Sequence, residues 1–284
     1  MNKDNNKNTN KNTNKETNKD FDLHFLKIYQ GRWASIKAAL NKKNEQTARK
    51  NLFFSLNAAM LDTYLMDPAS EIVANALQVK STDIVLDMCA APGGKSLILA
   101  EQMSFNQHKW GLPSGELICN EISEGRRDRL TRVLTEYIPK DKRLFLFVKG
   151  LDGNQYGLRQ PGHYDRILAD VPCSGERHLL ENQKEFEMWS EKRTKNISVR
   201  QYSLLSAAWL AVKSGGRIVY STCSISPLEN DGVVSKLVKK RAPSVLRLDF
   251  LKQYDFLEET EFGYQILPDT CGYGPMYFSV LEKS

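Results

Sequence analysis

Residues 84–100 read Ile84-Val85-Leu86-Asp87-Met88-Cys89-Ala90-Ala91-Pro92-Gly93-Gly94-Lys95-Ser96-Leu97-Ile98-Leu99-Ala100. The first five form a short apolar run of the kind that makes a buried strand. Gly94 to Met103 then reads as a helix, so the stretch is a strand, a tight loop and a helix in succession. Small residues after a strand let the backbone approach a ligand, and the helix N-terminus offers free N–H groups to an anion. Lys95 sits in the first helical turn, where a cation works against the helix dipole, which points to an anionic ligand group rather than to stability. A tight strand-to-helix turn would account for the glycines alone. Neither G-x-G-x-x-G nor G-x-x-x-x-G-K-[ST] is present, which argues against dinucleotide and triphosphate ligands.

The same rhythm continues downstream. ELICNE (116–121), LFLFVK (144–149), DRILAD (165–170) and GRIVYST (216–222) are further strand candidates, separated by helical stretches over 124–137 and 198–212. Strand–helix alternation with near-continuous apolar strands predicts an α/β fold, a parallel sheet covered on both faces. YQILPD (264–269) and GPMYFSVLEK (274–283) read as the two arms of a closing hairpin, with an antiparallel strand at the sheet edge. Upstream, apolar residues from Phe21 to Leu40 and again from Leu52 to Leu65 recur at helical spacing, and Ser70 to Leu77 reads as a third helix. Residues 1–20 are almost entirely Asn, Lys and Thr and have no apolar surface with which to offset ordering entropy. The expected organisation is a disordered tail over 1–20, a helical lead-in over 21–80 and one catalytic domain over 81–284.

Composition limits the function classes. The net charge of +6 suits a polyanionic partner but equally a solvated basic surface. No apolar run is long enough to span a bilayer, so no membrane association is expected. The start lacks a signal-peptide pattern, and its acids and missing arginines fit poorly to a mitochondrial presequence; an intracellular, soluble protein is the default. The five cysteines are scattered with no Cys-x-x-Cys pair, and the histidines (His24, His108, His163, His178) show no triad or metal spacing. Neither a disulfide framework nor a metal site is expected.

In open α/β sheets ligands bind beyond the carboxyl ends of the strands. At those positions stand Glu121 after the second strand, Asp152 and Gly153 after the third, Asp170-Val171-Pro172-Cys173-Ser174-Gly175 after the fourth, and Tyr220-Ser221-Thr222-Cys223-Ser224 at the fifth. Taken singly, each acid reads as a solvated loop carboxylate; their shared location shifts the balance. A lone cysteine is by default a small buried hydrophobe, but two beside one pocket are poor filler.

C-A-A-P-G-G-K, D-V-P-C-S-G and Y-S-T-C-S, in this order, resemble the Nop/Sun family of RNA cytosine-5 methyltransferases. The likeness runs from about Tyr64 to the C-terminus. P-C-S-G-E-R-H-L-L and G-P-M-Y-F resemble its compact branch, which includes a mitochondrial small-subunit rRNA enzyme. The resemblance implies a Rossmann-like class I methyltransferase with a mostly parallel seven-stranded sheet and S-adenosylmethionine as cofactor. It places Cys89, Ala90, Ala91, Pro92, Gly93, Gly94 and Lys95 in the cofactor loop. It further implies Glu121 at the ribose, Arg126 near the cofactor, Asp152 and Gly153 at the adenine, and Asp170 beside cofactor and base alike. Many members carry Asp where Glu121 stands.

The implied chemistry needs a thiol. Attack by a thiolate on carbon 6 of cytosine makes carbon 5 nucleophilic toward a methyl group; a base then removes the carbon 5 proton and the thiol leaves. The target must first leave its stack. In DNA cytosine-5 methyltransferases a Pro-Cys pair carries the nucleophile, which favours Cys173. The Nop/Sun pattern instead implies attack by Cys223 and product release by Cys173. Asp170 would stabilise the intermediate at the amidine edge of the base.

Cys119 and Cys271 read as structural. The expected partner is RNA, rRNA before tRNA, with the small ribosomal subunit, a targeting protein, the lead-in or the basic segment Lys192, Arg193, Lys195 and Arg200 supplying affinity. A solvated helix face explains that segment equally well. The expected location is cytoplasmic, or mitochondrial in a eukaryote. A non-catalytic RNA-binding assembly factor and a nucleotide-dependent oxidoreductase are the competing classes; the intact cysteines disfavour the first and the missing G-x-G-x-x-G the second.

Overall fold

The structure, a computed structural model, describes residues 19–43, 46–106 and 109–284. The disordered tail expected over 1–20 lies outside the described residues up to position 18, and helix α1 (Lys19–Tyr29) starts at the next one. His108 also lies outside them.

Seven strands build the central sheet: β1 (Ile84–Asp87), β2 (Glu116–Asn120), β3 (Leu146–Lys149), β4 (Tyr164–Asp170), β5 (Val212–Thr222), β6 (Tyr264–Ile266) and β7 (Met276–Glu282). Their spatial order is β6-β7-β5-β4-β1-β2-β3. All pairs from β5 to β3 are parallel, whereas β7 runs antiparallel to both β5 and β6. Two-residue strands at Glu258–Glu259 and Ser244–Val245 add to the β6 and β7 side, giving nine in all. The expected seven-stranded core is therefore present. The antiparallel strand is not at the edge, however. Met276 to Leu281 is buried without interruption, the mark of a strand covered on both faces, and β7 sits between two neighbours accordingly.

Helices α2 (Trp33–Leu40), α3 (Pro68–Ala76), α4 (Gly94–Ser104), α5 (Glu124–Tyr137), α6 (Glu176–Glu181), α7 (Glu191–Ala211) and α8 (Asp231–Arg241) complete the framework. On one side of the sheet Val85, Leu117 and Val219 pack with α3, α4 and α5 residues such as Val73, Leu97 and Leu134. On the other, Leu86, Ile167 and Tyr220 pack with Leu205, Trp209 and Leu237 from α7 and α8. Alternate residues of each strand thus feed opposite cores.

A third cluster joins the lead-in to the site. Phe21, Phe25, Trp33, Ile36 and Leu40 pack with Leu179, Phe186, Trp189, Ile225 and Leu267. Arg32 clasps the other end, bonding to Asp269 at 2.8 Å and Glu258 at 2.9 Å.

The helix expected over 52–65 does not form. A 3₁₀ turn (Leu52–Ser55) and a hairpin of Thr47–Lys50 with Thr63–Met66 occupy the region. The helical spacing there does not follow burial: Phe53 enters the core, but Leu52, Leu56, Leu61 and Leu65 are exposed. Buried Asn51 instead accepts from Phe53 N and donates to Leu61 O and Tyr137 O, which closes the loop on itself. Tertiary hydrogen bonds outweigh periodicity here.

Candidate active site

The loop after β1 turns sharply into α4. Gly93 has φ +118°, a conformation that L side chains rarely adopt, and it packs against Leu130 and Val133 of α5. A Cβ at Gly94 would lie 2.7 Å from the Tyr64 ring. These two glycines therefore serve the turn and the hairpin contact. Ala90 is buried and its N–H bonds to Asn120 O at 2.8 Å. Ala91, Pro92, Gly94 and Lys95 line a cleft of about 640 Å³ that also reaches Asp170.

Glu121 follows β2 and is buried to 2% exposure. One carboxylate oxygen accepts from Ser123 N at 2.9 Å. The other, Oε2, is buried with no hydrogen-bond partner, although Arg126 Nη1 stands 3.4 Å away. A buried carboxylate oxygen in this state can accept a further hydrogen bond. Arg126 also donates to Ala91 O at 3.1 Å, tying the loop to α5. Asp152 caps a short turn, accepting from Asn154 N at 3.0 Å. Gly153 lies beside Leu204, whose methyl group would stand 2.7 Å from an added Cβ. Cys89, Glu121, Arg126, Asp152, Gly153 and Cys173 together border a cavity of about 730 Å³. All four basic residues of the segment are exposed, and Arg193 and Arg200 border the cavity too, whereas Lys192 and Lys195 do not.

A second cavity, about 620 Å³, opens next to it and is bordered by Cys89, Lys95, Asp170, Cys173 and Cys223. Lys95 Nζ donates to Asp170 Oδ2 at 2.7 Å, and Ser221 Oγ donates to Asp170 Oδ1 at 2.7 Å. The first-turn cation thus has a protein carboxylate as partner rather than standing free for an anion. Cys173 and Cys223 meet as a disulfide, their Cα atoms 6.3 Å apart. Cys223 is exposed toward the cavity, and its N–H lies 3.2 Å from Cys173 Sγ.

Behind the cysteines lies a polar cluster that sequence reading did not single out. Glu176 and Glu229 are both 0% exposed. They converge on the hydroxyls of Ser174 and Ser224, the residues that follow the two cysteines. Gln201 joins them, donating to Glu229 at 2.8 Å and Pro172 O at 3.0 Å. Asn230 accepts from Thr222 and donates to Ser224 O. The only sequence signal was an acid just beyond each cysteine motif.

The remaining thiols read differently. Cys119 is buried in β2, and burial pushes its thiol up, as it does that of Cys89. Cys271 is half-buried in the C-terminal region. Among the described residues no group of His, Cys, Asp and Glu could hold a metal ion, and no helix is long and apolar enough to cross a membrane.

Comparison with known proteins accords with this geometry. The 5-cytosine rRNA methyltransferase NSUN4 of Bos taurus is 37% identical over 235 residues, covering 77% of this chain and 59% of that protein. A mitochondrial tRNA (cytosine(34)-C(5))-methyltransferase of Danio rerio is 36% identical over 232 residues, covering 78% and 60%. The chain thus spans about six tenths of the length of these relatives. Among solved structures, a methyltransferase homologue from Pyrococcus horikoshii superposes with TM-score 0.74 at 20% identity, covering 95% of this chain and 96% of that one. NSun6 from the same organism superposes with TM-score 0.65 at 22% identity, covering 81% and 56%. These likenesses establish the fold. The profile of the family described as 16S rRNA methyltransferase RsmB/F matches residues 74–282, and the chain belongs to that family.

Proposed function

We propose that this chain is an S-adenosylmethionine-dependent RNA cytosine-5 methyltransferase acting on ribosomal RNA, with Cys223 as nucleophile. The observation that carries the reading is the meeting of Cys173 and Cys223 beyond β4 and β5, in a cavity shared with Lys95 and Asp170 and adjoining one bordered by Glu121, whose Oε2 has no hydrogen-bond partner. Family membership and the printed names of the relatives support the same chemistry.

The residues fit S-adenosylmethionine. Glu121 Oε2 would accept from a ribose hydroxyl, Asp152 beside Gly153 from the adenine amino group, and the 89–95 loop would face the methionine end. When bound, the cofactor supplies an electrophilic methyl group. Cys223, as thiolate, adds to carbon 6 of a cytosine in the second cavity and thereby loads electron density onto carbon 5. Asp170, held by Lys95 and Ser221, hydrogen-bonds the amidine edge of the ring. After methylation a base takes the carbon 5 proton, Cys223 is eliminated, and Cys173 assists release. The disulfide must be reduced first, because only a free thiolate can attack.

We further infer that Arg193 and Arg200, at the cavity rim, contact the RNA backbone, and that the small ribosomal subunit or a targeting protein adds affinity. The compartment follows the RNA, cytoplasm or mitochondrion; two relatives bear the word mitochondrial in their names. A tRNA target is the second reading, favoured by those same relatives. Incubation with labelled S-adenosylmethionine and total RNA, followed by mapping of 5-methylcytosine, decides between them. Label in rRNA is expected; label in tRNA alone would shift the substrate, and label in neither would overturn the reading.

A further inference from the structure

Between the two cysteine-bearing turns four oxygens crowd together: Oε1 of Glu176, Oε1 of Glu229, and the hydroxyls of Ser174 and Ser224. Ser174 Oγ lies 2.6 Å from Glu176 Oε1 and still closer to Glu229 Oε1. Ser224 Oγ lies 2.9 Å from the first carboxylate, 3.2 Å from the second and 3.2 Å from Ser174 Oγ. The outer oxygens are saturated by the backbone and Gln201. Glu176 Oε2 accepts from Ile225 N at 2.9 Å, and Glu229 Oε2 accepts from Ser174 N at 3.0 Å and Gln201 Nε2 at 2.8 Å.

A proton inventory follows. With both carboxyls ionised, the two hydroxyls supply two protons to five close oxygen–oxygen contacts, and two buried like charges face each other. Among the described residues neither carboxylate has a salt-bridge partner. The titratable groups facing the pair are Tyr29 of α1 and Tyr220 of β5, whose phenols bond instead to Ile225 O and Glu229 O at 2.6 Å. A third proton, on one carboxyl, removes the repulsion and gives a third of the five contacts its hydrogen. Burial raises the proton affinity of both groups, and for Glu176 the charge of Glu229 adds to it.

The geometry points to a new role: Glu176 and Glu229 share one proton and together set the spacing and orientation of the Cys173 and Cys223 turns. They are positioning residues, acting through Ser174 and Ser224 on the neighbouring thiols. The inference rests on the reading of those thiols as the reactive groups, but its first test does not.

That test is the rate at which the reduced, full-length protein forms the Cys173–Cys223 disulfide when treated with diamide, which accepts the two hydrogens. Mass spectrometry follows the product without RNA or S-adenosylmethionine. A carboxamide mimics a neutral carboxylic acid by offering both an acceptor and a donor. Glu176→Gln and Glu229→Gln alone should therefore crosslink within about threefold of wild type, whereas the double variant overfills the cluster with protons and should slow at least about tenfold. With RNA, the double variant should lose kcat by a similar factor while KM for S-adenosylmethionine stays within about twofold.

Wild-type rates in the double variant would overturn the proposal, as would single variants already as slow as the double. If the double variant does not fold, Glu176→Ala against Glu176→Gln decides: a slow Ala and a near-normal Gln support the shared proton, and equal rates refute it. Loss of crosslinking in a protein that methylates no RNA would leave this inference standing and the functional reading fallen.

Discussion

Lys95 Nζ stands 2.7 Å from Asp170 Oδ2, so the helix that follows the loop after β1 is bonded to the strand end that carries the Pro-Cys turn. Both residues line the cavity that holds the two cysteines and the cleft beside the loop after β1, and Ser221 fixes the other carboxylate oxygen. Asp170→Asn keeps the shape but cannot pair with Lys95 as an anion. It is expected to lower single-turnover methyl transfer by about 10²-fold or more, with S-adenosylmethionine affinity much less affected. Rapid-quench kinetics beside calorimetric titration of the cofactor checks this. Equal losses in both would move Asp170 to a binding role.

Glu121 offers a buried oxygen with no hydrogen-bond partner on the cavity wall. Truncation in Glu121→Ala is expected to weaken S-adenosylmethionine binding by about 10- to 100-fold, the range for a hydrogen bond to a charged group. Glu121→Asp keeps a carboxylate at the cavity wall and should lose less. An unchanged dissociation constant for the Ala variant would remove Glu121 from the site.

The two sulfurs report their own state. Without reductant the disulfide blocks Cys223, so transfer should be lost and restored by dithiothreitol. Cys223→Ala should abolish transfer under all conditions. Cys173→Ala cannot form the bond and should accumulate a covalent RNA adduct, visible as a shifted band on a denaturing gel. Adduct formation by Cys223→Ala instead would reverse the assignment of the two thiols.

Asp87 at the end of β1 is buried, and burial pushes its carboxyl up to about 7. Between the ordinary aspartate range and that value, the folded chain holds a proton that the unfolded chain has released. Stability from this group therefore falls as pH rises through the window, levelling off above about pH 7. Asp87→Asn removes the slope. The melting temperature of wild type minus that of the variant should decline between about pH 5 and pH 8. A constant difference would place the carboxyl in its ordinary range.

Much of this site could be read in advance because its chemistry lies where strands end. Cys89 to Lys95, Glu121, Asp152, Asp170, Cys173 and Cys223 each follow a recognisable apolar run, and the parallel sheet brings those ends to one rim. What stayed hidden depends on neighbours remote in sequence. Glu176 and Glu229 become partners only because β4 and β5 are adjacent, and each alone resembles a solvated acid. The Leu52 to Leu65 stretch shows helical spacing, yet nothing in it reveals that Asn51 will bond across to Tyr137. The placement of β7 could have been read from its apolar residues, which only Ser279 interrupts between Met276 and Leu281.

The aromatic packing of α1 and α2 bears on where this chain can be cut. Residues 74–282, matched by the family profile, contain both thiols and every residue proposed above to hold the cofactor. A fragment with those limits would nonetheless strip Phe21, Phe25 and Trp33 from Leu179, Ile225 and Leu267, and remove the Tyr29 phenol from Ile225 O. Ile225 lies two residues past Cys223. Residues 19–40 are thus packed behind the Cys223 turn, and a piece that keeps this support is longer than the span of the family profile.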